Sequence, residues 1–303
     1  MSGHPVPRAD LKVKAASIHG GAARRMLFAA PSTLATLATL ATLATLATLA
    51  TLVVGAAAHA ADERQGSEII VETRGVSLPI YAVWKADAVA SVLLYSGGAG
   101  GYGKIGDGGW PASRNFLIRS ARLFAGQPFN VVMVGRASDV NDLDGRARTG
   151  DKHDLDNQAV FRAVKARSAA PIWLVGTSMG TISAAAAAIR DSDSDRNLAG
   201  IVLTSSITAY RIPGAVPAQD IDKIKVPVLI VHHERDACSA CTPWEAKTIA
   251  RQLKNAPVKK TVMVNGGADP TGDPCEPMHY HGYIGMEKEV VDLIAAWIQS
   301  PTD

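Results

Sequence analysis

The sequence has little net charge once its first 60 residues are set aside. Those residues contain five basic side chains and one acidic side chain and so carry +4, whereas the whole chain of 303 residues has a formal charge of +3. Residues 61–303 therefore carry −1. A nearly neutral domain lacks the basic surface that nucleic-acid binding requires, so that function class is excluded. Only 19% of residues are charged and 47% are hydrophobic, which excludes a disordered chain.

Charged residues are absent from residues 26–58, and a Thr-Leu-Ala triplet repeats through the centre of that run. The run ends in Ala58-His59-Ala60, which has small residues at the two positions that a signal peptidase reads. The pattern predicts a leader over residues 1–60, cleaved after Ala60, and export of one domain over residues 61–303. The alternative is an uncleaved anchor, because an uncharged run above about 18 residues can span a bilayer. The chain would contact a membrane only in that case.

Short apolar runs alternate with helical patterns after the leader. Strands are predicted at residues 68–72, 78–84, 90–95, 130–134, 172–175, 200–204, 226–231 and 260–264. Helices are predicted at residues 113–124, 154–167, 178–190, 243–253 and 286–299. Several strands are continuously apolar, which is typical of strands buried on both faces. Two opening strands followed by β-α alternation predict an α/β fold whose sheet is mostly parallel, antiparallel at its start and covered by helices on both faces.

A Gly-x-Ser-x-Gly motif is the strongest functional signal. It reads Gly176-Thr177-Ser178-Met179-Gly180, between an apolar strand and an alanine-rich helical run. This context predicts a nucleophile elbow, in which a strained turn projects the serine from the carboxyl edge of the sheet. Glycines two positions before and after Ser178 would prevent collisions with the neighbouring strand and helix. Ser178 is therefore the predicted nucleophile.

A serine nucleophile requires a histidine base and a carboxylate that orients the histidine. In elbow enzymes the acid and then the histidine follow the serine along the chain. Asp236 follows the strand at 226–231, and His281 lies in the loop after the last strand. These two residues are the predicted acid and base, with Glu234 and His279 as their rivals.

Hydrogen-bond donors for an oxyanion are predicted in two places. The first is the backbone amide of Met179, at the start of the elbow helix. The second is the loop Ser96-Gly97-Gly98-Ala99-Gly100-Gly101, where the amide of either Gly98 or Ala99 could approach a substrate without obstruction by side chains.

The same loop contains two nucleotide-binding patterns that lack their required context. Gly98, Gly100 and Gly103 match a dinucleotide fingerprint, but residues 104–111 are rich in glycine and end in proline, so no helix can begin there. Residues 98–104 also fit the P-loop pattern Gly-x-x-x-x-Gly-Lys, but Ile105 follows where a P-loop needs Ser or Thr to bind magnesium. The acidic loop at residues 139–145 resembles a calcium loop, but Val140 occupies its first ligand position. The sequence therefore predicts no cofactor, nucleotide or metal.

Three cysteines lie beside the predicted acid and base: Cys238, Cys241 and Cys275. In an exported protein a disulfide is expected. A bond between Cys238 and Cys275 would connect the acid loop to the base loop and stabilise the fold by about 4 kcal/mol. A bond between Cys238 and Cys241, or a zinc site formed by all three cysteines and His279, are the alternatives.

Residues 91–298 resemble an α/β-hydrolase of the compact, exported bacterial kind. The resemblance rests on Ser-Gly-Gly after the third strand, Gly-Thr-Ser-Met-Gly at the elbow, His-His-Glu-Arg-Asp-Ala-Cys at the acid and His-Gly-Tyr-Ile-Gly-Met-Glu at the base. It implies an eight-stranded, mostly parallel sheet with Ser178, Asp236 and His281 as catalytic triad. About 20 residues separate the strand ending at Thr204 from the next, where many relatives insert a helical cap, so the resemblance implies an open cleft.

These features together predict a cofactor-free serine hydrolase that cleaves a small-molecule carboxylic ester in an exported compartment. A non-catalytic exported domain that binds ligands in the same cleft is one alternative, because a fold does not by itself determine a function. A metal-dependent hydrolase built on the cysteine and histidine residues is the other. The sequence does not predict an oligomeric state.

Overall fold

The computed structural model describes residues 65–194 and 197–303. The predicted leader and its cleavage site after Ala60 lie outside these residues. Among the residues that are described, no helix combines the length and the apolar character needed to cross a membrane.

An eight-stranded sheet forms the centre of the fold. In the described residues the strands are β1 (Ser67–Thr73), β2 (Val76–Val83), β3 (Ala90–Tyr95), β4 (Lys104–Ile105), β5 (Pro111–Ala112), β6 (Phe129–Val134), β7 (Ile172–Thr177), β8 (Leu198–Thr204), β9 (Val228–His233) and β10 (Lys259–Val264). The sheet has the order β1-β2-β6-β3-β7-β8-β9-β10, and β4 pairs with β5 in a separate ribbon. The β1–β2 and β2–β6 pairs are antiparallel and the other neighbours in the sheet are parallel. The predicted architecture is therefore confirmed.

Helices cover both faces of this sheet. They are α1 (Phe116–Arg119), α2 (Ala121–Gly126), α3 (Gly145–Thr149), α4 (Asp151–Arg167), α5 (Gly180–Asp193), α6 (Ala246–Gln252) and α7 (Glu287–Gln299). One apolar core joins the sheet to α4, α5 and α6, and the other joins it to α1, α2 and α7. In β3, Leu93 packs in the first core, whereas Val92 and Leu94 pack in the second. Burial on both faces explains why three consecutive residues of this strand, Val92, Leu93 and Leu94, are apolar.

Among the differences from the sequence prediction, two concern helices. The helix predicted at residues 113–124 begins only at Phe116, because the side chain of Asn115 caps it by accepting a hydrogen bond from the Leu117 amide at 3.1 Å. It is also interrupted at Ser120. Helix α3 was not predicted, since five residues are too few to show a helical period; Asp144 caps it through the Ala147 amide at 2.8 Å.

A disulfide joins Cys238 to Cys275 across 37 residues of sequence. It links the loop after β9 to the loop that precedes α7. Cys241 is a buried free cysteine. Burial raises the pKa of the Cys241 thiol well above its ordinary value, with a smaller opposing effect from a hydrogen bond to Ser178.

Replacement of Trp297 by alanine tests the packing of α7 against the sheet. Trp297 is 6% exposed, stacks edge-on against Trp173 at 5.6 Å and donates a hydrogen bond from Nε1 to the Thr302 carbonyl. We expect Trp297→Ala to lower the free energy of unfolding by about 3–5 kcal/mol in denaturant titrations. The matched control, Trp244→Ala, removes a side chain that is 70% exposed and should change it by less than about 0.5 kcal/mol. Similar losses in both variants would contradict the packing described.

Thiol mapping tests the cysteine arrangement. Iodoacetamide should leave the native oxidised protein unmodified, because Cys241 is buried and its raised pKa suppresses the reactive thiolate. After unfolding without reductant, Cys241 alone should react, and peptide mass spectrometry should recover Cys238 linked to Cys275. Modification of Cys275 in the native protein would instead indicate a bond between Cys238 and Cys241.

Candidate active site

Ser178 occupies a strained turn between β7 and α5. Its backbone has φ of 53°, a left-handed conformation that a residue with a Cβ seldom adopts. The turn is held by a hydrogen bond from the Ser178 amide to the Thr204 carbonyl on the adjacent strand β8, at 3.1 Å. The serine therefore lies at the carboxyl edge of the sheet, where the motif predicts it.

Three glycines make this turn sterically possible. A Cβ on Gly176 would lie 2.5 Å from the Gly180 carbonyl oxygen, and one on Gly180 would lie 2.0 Å from the Tyr95 carbonyl oxygen. A Cβ on Gly97 would lie 2.9 Å from the Cβ of Ser178. Backbone atoms cannot move out of the way of a side chain as readily as a flexible chain end can, so glycine is required on each side of the serine.

Asp236 and His281 form a buried pair. The Nδ1 atom of His281 lies 2.9 Å from the Oδ2 atom of Asp236, and each residue is 4% exposed. The other carboxylate oxygen of Asp236 accepts a hydrogen bond from the Cys238 amide at 2.9 Å. The carboxylate can only accept, so Nδ1 of His281 donates, and Nε2 of the neutral ring is left as an acceptor.

The backbone around His281 is held from several sides. The Ser205 hydroxyl donates to the His281 carbonyl at 2.8 Å. A Cβ on Gly282 would lie 1.9 Å from the Pro277 carbonyl oxygen, so the next position must also be glycine. Tyr283 has φ of 58° and its buried hydroxyl donates to the Val231 carbonyl at 2.8 Å. These contacts hold the backbone at His281 and Tyr283 against Ser205, which follows β8, and Val231 in β9.

The rival residues have other surroundings. His279 packs edge-on against Tyr280, and its buried Nδ1 has no partner among the described residues. Glu234 is exposed and accepts a hydrogen bond from Asn265 at 2.6 Å. His232 is fully buried and its Nε2 accepts from the Ser206 amide at 3.0 Å. None of the three shares the contact between Asp236 and His281.

Ser178 and His281 line the same cleft, which has a volume of about 290 Å³. Its wall also includes Gly97, Gly98 and Phe116, and on the side of the disulfide it includes Cys275, Glu276 and Pro277. The thiol of Cys241 lies close to both predicted catalytic residues. Its Sγ lies within 4.8 Å of a ring nitrogen of His281, and its thiol hydrogen-bonds with Ser178.

The predicted oxyanion donors belong to cleft residues or to their neighbours in the sequence. Gly98 is part of the cleft wall, Met179 follows Ser178 directly, and Ala99 follows Gly98. The amides of Met179, Gly98 and Ala99 have no hydrogen-bond acceptor within the described part of the chain. The Ala99 carbonyl, by contrast, accepts from the Leu143 amide at 3.0 Å. Unpaired amides beside a strained serine are suited to binding a negatively charged oxygen.

The cysteines are arranged as a disulfide pair with a neighbouring thiol. Potential ligand atoms of Cys238, Cys241 and His281 lie within 4.8 Å of one another. The sulfur of Cys238 is bonded to Cys275, however, and a disulfide sulfur is not the thiolate that zinc binds. The alternative zinc set that included His279 is not assembled.

Little regular structure lies between β8 and β9. Residues 205–227 contain two short 3₁₀ turns, Val216–Ala218 and Ile221–Lys223. Ser205, which the sequence did not single out, begins this segment and donates a hydrogen bond to the His281 carbonyl. Its signal in the sequence is weak, because nothing distinguishes it from the preceding Thr204 or the following Ser206.

Comparison with known proteins agrees with this architecture. No protein-family model and no curated protein matches the sequence. Among solved structures, EstE1, a thermophilic and thermostable carboxylesterase cloned from a metagenomic library, is 19% identical, with a TM-score of 0.55 over 79% of this chain and 90% of its own. A hyperthermophilic esterase from the archaeon Pyrobaculum calidifontis is 16% identical, with a TM-score of 0.55 over 78% of this chain and 85% of its own.

An α/β serine hydrolase homologue from Coxiella burnetii is also similar. It is 16% identical, with a TM-score of 0.53 over 77% of this chain and 97% of its own. These structural similarities agree with the sheet order, the parallel central strands and the helices on both faces of the sheet. The chain therefore has the α/β-hydrolase fold.

Proposed function

We propose that this protein is a serine hydrolase that cleaves a carboxylic ester through an acyl-enzyme intermediate. The observation that carries the proposal is the buried hydrogen bond between His281 and Asp236. His281 lines the same cleft as Ser178, whose backbone is strained. A hydroxyl, an oriented imidazole and a buried carboxylate are the three parts of a serine-nucleophile mechanism.

In the first half-reaction the Ser178 oxygen attacks the ester carbonyl while Nε2 of His281 takes the hydroxyl proton. Asp236 accepts the hydrogen bond from Nδ1, which fixes the tautomer and stabilises the imidazolium as it forms. The negative charge that develops on the carbonyl oxygen is stabilised by the Met179 amide together with that of Gly98 or Ala99. Collapse of the tetrahedral intermediate expels the alcohol, which receives the proton from His281.

In the second half-reaction water replaces the alcohol. His281 removes a proton from the water, which attacks the acyl-enzyme, and the same amides stabilise the second oxyanion. The acid is then released and Ser178 recovers its proton. No step requires a cofactor.

Three further features support the proposed substrate class and compartment. The similar carboxylesterase and esterase structures share the fold, which is compatible with ester cleavage. The segment between β8 and β9 contains only two short 3₁₀ turns, which supports our proposal of an accessible site for small-molecule esters. We also propose that the domain is exported, since disulfides such as Cys238–Cys275 persist in oxidising compartments.

Replacement of Ser178 by alanine tests the nucleophile. We expect Ser178→Ala to lower kcat for p-nitrophenyl acetate and butyrate by at least about 10⁴-fold, because removing the nucleophile of a triad eliminates the covalent route. Ser239→Ala changes an exposed serine outside the cleft and should keep the rate of the unchanged protein. Equal rates in Ser178→Ala and the control would overturn the proposal. Failure of the unchanged protein to hydrolyse any ester would favour the non-catalytic alternative.

A pair of histidine variants tests the base. His281→Gln removes the imidazole that contacts Asp236 and should lower kcat by at least about 10⁴-fold. His279→Gln, two residues away, removes a ring that does not contact the carboxylate and should retain kcat within about three-fold, since surface and near-surface changes away from the reacting groups have small effects. At every pH between about 5 and 9, the rate of His281→Gln should be lower than that of His279→Gln. The reverse order would transfer the role of base to His279.

A further inference from the structure

Arg148 is a buried cation that the proposed mechanism does not use. It lies on α3, its exposed fraction is 2%, and its guanidinium has no carboxylate within ion-pair distance in the described residues. Burial lowers the pKa of Arg148 to about 10, against an opposing effect of the charges of Asp142 and Asp144. The side chain is therefore charged at neutral pH. A buried charge without an opposite partner is destabilising, so its contacts are informative.

The guanidinium binds the glycine loop and two neighbouring elements. Its Nη2 atom donates to the carbonyl of Gly98 at 3.0 Å and to that of Ser96 at 3.3 Å. Its Nε atom donates to the Leu143 carbonyl at 2.7 Å, and Nη1 donates to the Ser183 hydroxyl at 2.9 Å. Ser183 lies on α5, the helix that begins after Ser178. One side chain thus joins the glycine loop to the helix that directly follows Met179.

The contact with the Gly98 carbonyl determines where the next amide points. In a trans peptide group the C=O and the following N–H point in opposite directions. Holding the Gly98 oxygen against Arg148 therefore turns the Ala99 N–H away from the protein interior. A cation on the carbonyl also polarises the peptide group and strengthens its N–H as a donor. The Ser96 carbonyl fixes the amide of Gly97 in the same way.

The remaining contacts prevent this arrangement from changing. Arg148 can only donate, so the Ser183 oxygen accepts, and its hydroxyl proton is available to Nε2 of His153 at 3.0 Å. Burial, with a further effect of Arg148, lowers the pKa of His153 to about 4, so its ring is neutral and can accept. On the other side, the Gly100 amide donates to the Gly97 carbonyl at 3.1 Å and closes the loop.

We propose that Arg148 is a positioning residue for the oxyanion hole: it aims the amides of the glycine loop at the substrate carbonyl and places a buried positive charge behind them. The proposal rests on the function proposed above. It favours the Ala99 amide as the second donor, because the Gly98 carbonyl is the one that Arg148 holds more closely. The buried charge is compensated most fully when the oxyanion forms, so the benefit arises in the transition state and not in substrate binding.

Kinetics of Arg148→Met and Arg148→Lys test the proposal. In Arg148→Met we expect kcat for p-nitrophenyl acetate to fall by about 10–1,000-fold, at most the roughly 10²–10³-fold loss that follows removal of an oxyanion donor itself, with KM changed less than about three-fold. Arg148→Lys keeps the charge but not the planar fork that holds several acceptors, so kcat should be intermediate and at least about five-fold below that of the unchanged protein. A role in stability alone would not produce this split between kcat and KM.

The matched control is Arg74→Met. Arg74 is also an enclosed arginine, but it forms ion pairs with Asp139 and Asp156 and contacts no part of the glycine loop. We expect Arg74→Met to lower the unfolding temperature while kcat stays within about two-fold, since it is remote from the reacting groups. All rates are measured at least about 15 °C below the unfolding midpoint of each variant. This margin is several times the shift in midpoint that a change of about 1 kcal/mol in the free energy of unfolding produces, so each variant is measured in its folded state.

The outcomes separate the two proposals. If the unchanged protein is active and Arg148→Lys has the same kcat, the proposed role of Arg148 is wrong and the proposed function still stands. The same conclusion follows if the Arg148 variants change only KM. This comparison holds even where Arg148→Met does not fold. If the unchanged protein hydrolyses no ester, the proposed function fails and the role of Arg148 fails with it.

Discussion

The left-handed backbone of Ser178 is the constraint on which the rest of the site depends. A residue with a Cβ is held in that conformation only where the surroundings leave it no alternative. Here β7 supplies a buried strand on one side, α5 begins immediately on the other, and Gly176 and Gly180 allow the two to meet without collision. The consequence is a serine held at the carboxyl edge of the sheet, next to a Met179 amide that has no acceptor among the described residues.

The groups around Ser178 come from loops that the parallel sheet brings to one edge. Asp236 follows β9, the glycine loop follows β3, and His281 lies in the segment between β10 and α7. Each loop is held by polar contacts that also order its neighbour: Ser205 holds His281, the disulfide joins the acid and base loops, and Arg148 joins the glycine loop to α5. Such redundancy orders the side chains at this edge of the sheet without further elements of secondary structure.

Local patterns made most of the fold and the serine predictable from sequence. The alternation of apolar runs and helical periods depends on neighbours in the chain, and the glycines around Ser178 follow from the geometry of a single turn. The cysteine pairing stayed open, because Cys238 has candidate partners at positions 241 and 275 and only the tertiary path of the chain selects between them. Arg148 could not be distinguished from Arg146 in the sequence. Its role depends on contacts with Ser96 and Ser183, which lie 52 and 35 residues away.

The central claim is that Ser178 is made nucleophilic by a histidine and a carboxylate drawn from distant parts of the chain. The most direct measurement is peptide mass mapping of the native protein after treatment with a fluorophosphonate, which phosphonylates activated serines. The account predicts one stoichiometric adduct, on the peptide containing Ser178, formed in parallel with loss of esterase activity. An adduct on another residue that accounts for the lost activity, or full activity retained with Ser178 modified, would contradict it.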